Sequence, residues 1–293
     1  MSIEASARAW AHQHGLQSSR LVTGAYRWIS LVRYRNAWEA DVPFRGAVFS
    51  IGRDLSLYPA VRNGGFESVE MDAFLPRVPD DALVWDVGAN VGIYAVLLSR
   101  AAPKGRVVAF EPVPESRARL SANLEKNHAE NVTVEPVALS NHSGTARMTV
   151  HPEAHGCDQI SLSPADDGVE VETATGDRFA SRYGDPDVIK VDIEGHEPEF
   201  LEGCWDMLER RKPLLMLEVN PTTWSTPQRY ATWADTLGRL LTLYSEADWI
   251  DAVSSTRVSS VAVGELAPHT AYTMILPAVD GRPGPSQGLR PHE

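Results

Sequence analysis

The sequence predicts an α/β fold in which mostly parallel strands alternate with helices around one ligand site. Three observations carry that expectation. Val84 to Gly92 (VWDVGANVG) is an apolar run that stops on an acid, turns on glycines and restarts as the helical stretch IYAVLLSRAA. Val107 to Pro112 (VVAFEP) repeats the apolar run and ends on Glu111, 23 residues beyond Gly88, where the second strand tip of a βαβ unit meets a ribose. Val188 to Glu197 (VIKVDIEGHE) and Leu214 to Pro221 (LLMLEVNP) read as two more buried strands with acids at their C-terminal ends. Open α/β sheets bind their ligands outside those ends.

Residues 1 to about 80 form an N-terminal extension of helix and strand. Leu21, Ala25, Trp28, Leu31 and Val32 recur at helical spacing with Arg20, Arg27, Arg33 and Arg35 between them. A helix packed on the core is the first reading, with a substrate lid, a dimer surface or a membrane-surface helix as alternatives. Trp10, Trp28 and Trp38 are read as core residues, with a homodimer interface as the alternative. Residues 81–277 form the main domain, with strands at about 83–86, 107–111, 132–138, 188–192 and 214–218 and helices at about 91–101, 115–127 and 197–210. Pro114 and Pro198 suit first helical turns, where a missing N–H is harmless. GTARMTVH and VEVETATG alternate in period two and predict a small antiparallel hairpin around the loop His155 to Gly168. A helix at about 227–241 and strands near 258–263 and 271–276 complete the domain. Residues 278–293, rich in Gly, Pro and polar types, are expected to be a disordered tail.

Composition narrows the function. At 293 residues with 43% apolar positions, the chain supports one large core with a modest addition. A net charge of −12 works against nucleic acid as a partner, since that recognition starts from clustered Lys and Arg. No apolar run approaches the ~20 residues that span a bilayer, and MSIEASARAW has neither the basic start nor the apolar stretch expected of a signal peptide. A cytoplasmic compartment is therefore expected. Cys157 and Cys204 lack the spacing of a zinc site or disulfide framework. The sequons at Asn131 and Asn141 are accordingly taken as chance matches. In HPEAH, His151 to His155, the Glu is out of place and Pro152 opposes the helix that a metalloprotease motif needs.

The loop after Val87 has neither GxGxxG nor a Lys-Ser/Thr pair for phosphates. Asp86 would repel a pyrophosphate but suits a cationic amino-acid moiety, such as the methionine part of S-adenosylmethionine. A nicotinamide or flavin oxidoreductase is set aside on that ground. A non-catalytic binding protein on the same fold is the second rival, opposed by the second acidic cluster. In that cluster Asp192, Glu194, His196, Glu218 and Asn220 are expected to converge beside the cofactor. His196 is the first candidate base, because a helix mouth disfavours imidazolium and keeps the ring able to accept a proton. Asp192 and Glu194 are the other catalytic candidates, and simple helix capping is the alternative for Glu194 and His196. A different arrangement places magnesium or calcium on Asp192, Glu218 and Asn220 or Glu194. The metal-free arrangement is preferred, because acids at strand ends also serve as plain hydrogen-bond acceptors.

DVGANVG, FEPVPESRARLSANL, VALSNHSG, IKVDIEGHEPEFLEG and LLMLEVNP occur in this order within residues 58 to 220. Together they resemble the FkbM-type family of S-adenosylmethionine-dependent methyltransferases. The resemblance implies a Rossmann-like seven-stranded sheet in the order 3-2-1-4-5-7-6, strand 7 antiparallel. It also implies methyl transfer to a hydroxyl of a small molecule such as a sugar or a polyketide-type natural product. By position, Asp86, Gly88, Asn90 and Gly92 would surround the methionine part and Glu111 would hold the ribose. Ala138 and Leu139 would flank the adenine. Gly176-Asp177 stands where the family commonly has Leu-Asp, a departure expected to affect hairpin packing rather than chemistry.

Overall fold

The computed structural model describes residues 38, 40–150, 159–160, 168–223, 226–252, 254–258 and 271–279. The expected helix near Leu21, together with Trp10, Trp28, the His151 to His155 segment, Cys157 and residues 280–293, lies outside the described residues. The described chain opens with a hairpin of β1 (Val42–Phe44) and β2 (Ala47–Phe49), then two short helices, α1 (Leu57–Arg62) and α2 (Ser68–Phe74). Next come β3 (Leu83–Val87), α3 (Ile93–Ala101), β4 (Arg106–Phe110), α4 (Pro114–Lys126) and β5 (Val132–Glu135). After Pro136, β6 (Val137–Leu139), β7 (Gly144–Thr149), β8 (Gln159–Ile160) and β9 (Val169–Ala174) form a separate small sheet in the order β6-β9-β7-β8. The chain returns through α5 (Gly176–Tyr183), β10 (Val188–Val191), α6 (Glu197–Glu202), α7 (Trp205–Arg211) and β11 (Leu214–Val219). It ends with α8 (Pro227–Leu243), β12 (Asp248–Asp251), β13 (Thr256–Val258) and β14 (Tyr272–Leu276).

The large sheet has eight described strands in the order β13-β12-β14-β11-β10-β3-β4-β5. β5, β4, β3, β10 and β11 are parallel, and β14 enters antiparallel between β11 and β12. β13 extends the seven expected strands at one edge. The strand beside β14 is Asp248–Asp251, which the sequence pattern does not predict; of the strand expected near 258–263, all but Val258, the end of β13, lies outside the described residues. Only two buried apolar residues, Trp249 and Ile250, sit in β12 between acids, too short an alternation to register as a strand. The single helix expected at 197–210 is two helices. Gly203 ends the first, and a Cβ there would collide with the Ser140 carbonyl. Gly176 packs against Cys204 so closely that a side chain has no room. Asp177 Oδ1 accepts the Met207 N–H at 2.9 Å. The Gly176-Asp177 pair thus begins α5 and braces the first turn of α7.

Both faces of the large sheet are covered, which explains why its strands read as continuous apolar runs. Val84, Val107, Ala109, Val188 and Met216 face α3, α4 and the N-terminal segment. Trp85, Val108, Phe110, Ile189 and Leu215 face α5 to α8. Trp38, Phe49, Tyr58 and Phe74 belong to the first of these cores, so the described part of the extension shares the main domain's interior. Two amides of α4 lock it there. Asn123 Oδ1 accepts Ser50 N–H at 2.8 Å and its Nδ2 donates to Ser50 O at 3.0 Å, while Asn127 does the same to Val48 at 3.0 and 2.7 Å. These side chains extend the edge of β2 as a neighbouring strand would. Among the described residues, no helix is long and apolar enough to cross a membrane.

Candidate functional site

The C-terminal ends of β3, β4, β10 and β11 open into a cavity of about 490 Å³. Glu111, Pro112, Ala138, Leu139 and Met148 line one side; Glu67, Tyr94, Lys190, Asp192, Glu194 and Glu218 line the other. The glycine loop touches both groups. Asn90 N–H donates to Glu111, and the Gly88 carbonyl accepts from Lys190 Nζ at 3.1 Å.

On the first side, Glu111 is 5% exposed. Its Oε2 accepts Asn90 N–H and its Oε1 accepts Val113 N–H, each at 2.8 Å. A carboxylate only accepts hydrogen bonds, the complement of a donating diol. Gly88 and Ala89 donate to the Phe110 carbonyl at 3.1 and 3.0 Å, pinning the loop to the tip of β4. Gly88 has φ 78°, and a Cβ on it would strike the Asp192 carbonyl, so only glycine satisfies both the turn and the approach. Gly92, φ 89°, caps α3 and ends the loop. Val113, Ala138, Met148 and Val171 make an apolar patch beside it.

The second side is crowded with acids. Asp192, Glu194 and Glu218 each offer an oxygen within 4.8 Å of the others. Burial, with Asp192 and Glu197 adding repulsion, pushes Glu194 up to about 9. Burial and the surrounding carboxylates, Asp192 first, also raise Glu218 well above the usual carboxylate range. Glu194 therefore holds its proton at neutral pH, because closely spaced carboxylates cannot all ionise. Lys190, 3% exposed, has its Nζ 3.7 Å from both Asp86 and Asp192 and 5.1 Å above the Tyr94 ring. The three-carboxylate set consists of hard oxygens, a donor chemistry that fits magnesium or calcium.

Several expected residues fall elsewhere. Asp86 is fully buried and does not line the cavity; the cation beside it is Lys190. His196, the first candidate base from the sequence, does not line the cavity either. Glu194 and Gly195 both have positive φ, 54° and 99°, and after this turn the ring lies against Ser140, beyond the end of β6. Its Nε2 is 2.9 Å from Ser140 Oγ and its Nδ1 is 3.5 Å from Glu199, which Arg229 holds in turn. Burial pushes His196 down to about 4. This Ser-His-Glu chain is buried, and neither Ser140 nor His196 lines the cavity. Glu197 likewise folds back, accepting N–H groups of Ile193 and Gly195 at 3.1 and 3.2 Å. Asn220 is 3.4 Å from Glu218 but does not line the cavity, and Glu194 occupies the third corner of the acidic set. At the sequons, Asn131 donates to Ala102 O at 2.8 Å and Asn141 to Glu202 at 2.7 Å.

Glu67, Tyr94 and Lys190 were not anticipated as site residues. Lys190 had a signal, since a lysine inside a buried strand must find acidic partners. Glu67 had none, lying in a turn-rich stretch before the glycine loop.

Residues 86–246 match the Methyltransferase FkbM domain. The hexuronic acid methyltransferase AglP of Haloferax volcanii is 34% identical over 140 residues, 46% of this chain and 55% of that protein. The 31-O-demethyl-FK506 methyltransferase FkbM of Streptomyces tacrolimicus is 28% identical over 156 residues, 42% of this chain and 60% of that one. The match thus spans less than two thirds of either relative. Among solved structures, a methyltransferase FkbM from Methylobacillus flagellatus KT aligns with TM-score 0.43 and 19% identity, covering 67% of this chain and 44% of that one.

Proposed function

The chain belongs to the FkbM methyltransferase family, and from that premise we propose that its cavity binds S-adenosylmethionine and directs the methyl group to a hydroxyl of a small molecule. The observation that carries this reading is Glu111, an acceptor-only carboxylate held by the N–H groups of Asn90 and Val113 at the tip of β4 and lining the cavity, where a ribose diol would donate to it. Ala138 and Leu139 supply the neighbouring wall for the adenine. The sugar and polyketide-type substrates named for the relatives suggest the acceptor class.

Bound S-adenosylmethionine would supply an activated methyl group, which would pass to the acceptor oxygen while the sulfonium left as a thioether. The sulfonium is already activated, so the protein's work is to align the oxygen and take one proton. Of the candidate bases, Asp192 stands in the cavity, and it is the proposed acceptor. Glu194, which keeps its own proton near neutrality, is proposed to donate a hydrogen bond to the acceptor molecule. A divalent ion on Asp192, Glu194 and Glu218 would lower the hydroxyl pKa; the proposed reaction proceeds without one. The extension contributes Ser56, Leu57, Phe66 and Glu67 to the lining and is proposed to be a fixed wall of the site.

Titration calorimetry tests the cofactor: S-adenosylmethionine should bind and NAD should not. The reverse preference would refute the reading. Labelled methyl transfer to a panel of glycosides and macrolides, with and without a chelator, tests acceptor class and metal. Loss of transfer on chelation, restored by magnesium, would replace the metal-free mechanism.

A further inference from the structure

A ligand bearing the methionine group of S-adenosylmethionine brings positive charge into the cavity, and Asp86, the acid placed there by sequence, is shut behind the wall beside Lys190. Glu67 is differently placed. It lines the cavity directly, and it does so from a segment that precedes the family-matching residues 86–246. Its backbone is left-handed, φ 39° and ψ 41°, a conformation rare for glutamate and met mostly where surrounding structure imposes it.

The tether is chemical as well as conformational. Tyr94 OH, two residues beyond Gly92, donates to Glu67 Oε2 at 2.7 Å, tying this carboxylate to the helix that the glycine loop starts. One oxygen is thereby fixed and the other remains for a ligand. Lys190 serves Asp86, Asp192 and the Gly88 carbonyl at once, so the carboxylates on this side outnumber the cation among them. A half-buried carboxylate in that position gains from a positively charged ligand.

We propose that Glu67 receives a positive charge on the methionine part of the cofactor, the role the sequence assigns to Asp86. The proposal rests on the S-adenosylmethionine reading of the cavity. Burial and Asp192 raise Glu67 to about 7, so an approaching cation would complete its ionisation against the repulsion of Asp192 and Glu70 and with the help of Lys190 and Tyr94.

Calorimetry with three ligands tests it. S-Adenosylmethionine carries the sulfonium and the ammonium, S-adenosylhomocysteine keeps only the ammonium, and 5′-methylthioadenosine has neither. Glu67→Gln should weaken S-adenosylmethionine by about tenfold, the worth of one charge-assisted contact, and leave methylthioadenosine within about twofold. A parallel loss for S-adenosylhomocysteine assigns the contact to the ammonium; its sparing assigns it to the sulfonium. An equal loss for all three ligands, or no loss, would overturn the proposal. Tyr94→Phe removes only the tethering hydroxyl and should show the same selectivity at smaller size, which guards against misfolding of the glutamine variant. Failure of the wild-type protein to bind any of the three would instead reject the cofactor reading.

Discussion

On one side of the cavity a lone carboxylate, Glu111, has each oxygen held by a backbone N–H, whereas across the glycine loop Glu67, Asp192, Glu194 and Glu218 crowd around the ammonium of Lys190. The first arrangement is finished before any ligand arrives, and the anion is stabilised by fixed dipoles. In the second, the protein leaves its own charge unbalanced, and in the free state the proton on Glu194 relieves it, with Glu218 shifted in the same direction. A prearranged anion suits recognition of a neutral diol that never changes. A cluster whose charge depends on its occupant suits a ligand that enters as a cation and leaves, after methyl transfer, with one positive charge fewer.

Gly88 joins the two sides, so altering it should break both. Gly88→Ala puts a Cβ against the Asp192 carbonyl at φ 78°, and S-adenosylmethionine binding is expected to weaken by more than about 100-fold. Retained affinity in equilibrium dialysis would mean that the sides are not coupled through this loop. Asp192→Asn should act on the acidic side alone, lowering turnover by about 10²- to 10⁴-fold with the cofactor dissociation constant little changed. Glu111→Ala should do the converse: binding weakens by at least about tenfold, and turnover at saturating cofactor persists. If both variants lost affinity and turnover in the same proportion, the division of labour between the sides would fail.

The strands beneath the site were legible because burial on both faces writes itself as unbroken apolar runs: Leu83–Val87, Arg106–Phe110 and Leu214–Val219 lie within a residue or two of their expected places. Glu111 and the glycine loop were legible for the same reason, since strand tips fix where loops must act. Chain position does not say which way a side chain turns after two left-handed residues, and this is why His196, following Glu194 and Gly195, was expected in the cavity and lies outside it. Nor does it reveal partners brought from far along the chain. Glu67 meets Tyr94 only through packing of the N-terminal segment on α3, which no local pattern records.

The acidic side also predicts a pH signature in the ligand-free protein. Glu194 is raised from 4.5 to about 9 and Glu218 is raised too; their stabilising contribution is full below the unfolded value and lost as pH rises toward the folded one. Melting temperature should therefore decline between pH 5 and 9, and Glu218→Gln, which removes one of the titrating acids, should flatten that decline. An unchanged slope in differential scanning fluorimetry would show that the acids are ionised throughout and the two sides are electrostatically alike.

His196 supplies the smallest effect and the sharpest control, because it neighbours the acidic side in sequence yet does not face the cavity. If the ring has no part in proton transfer, His196→Gln should keep turnover within a few-fold, whereas a true general base would cost about 10²-fold or more. Its signature lies in stability, and the sign is opposite to that of the glutamates. The folded protein holds the ring neutral down to about 4, against 6.5 unfolded, so between those values the unfolded chain binds the proton that the folded chain refuses. Stability from this residue is complete above 6.5 and falls by up to about 3 kcal/mol on approaching pH 4. Near pH 8 the glutamine variant should be the less stable protein, having lost the native contacts to Ser140 and Glu199. As the pH drops, the wild type alone should carry the histidine penalty, and the gap between the two denaturation midpoints should close. A constant gap from pH 8 to 4.5, together with a large loss of turnover, would return His196 to the chemistry and erase the boundary drawn between the acidic side and the buried chain behind it.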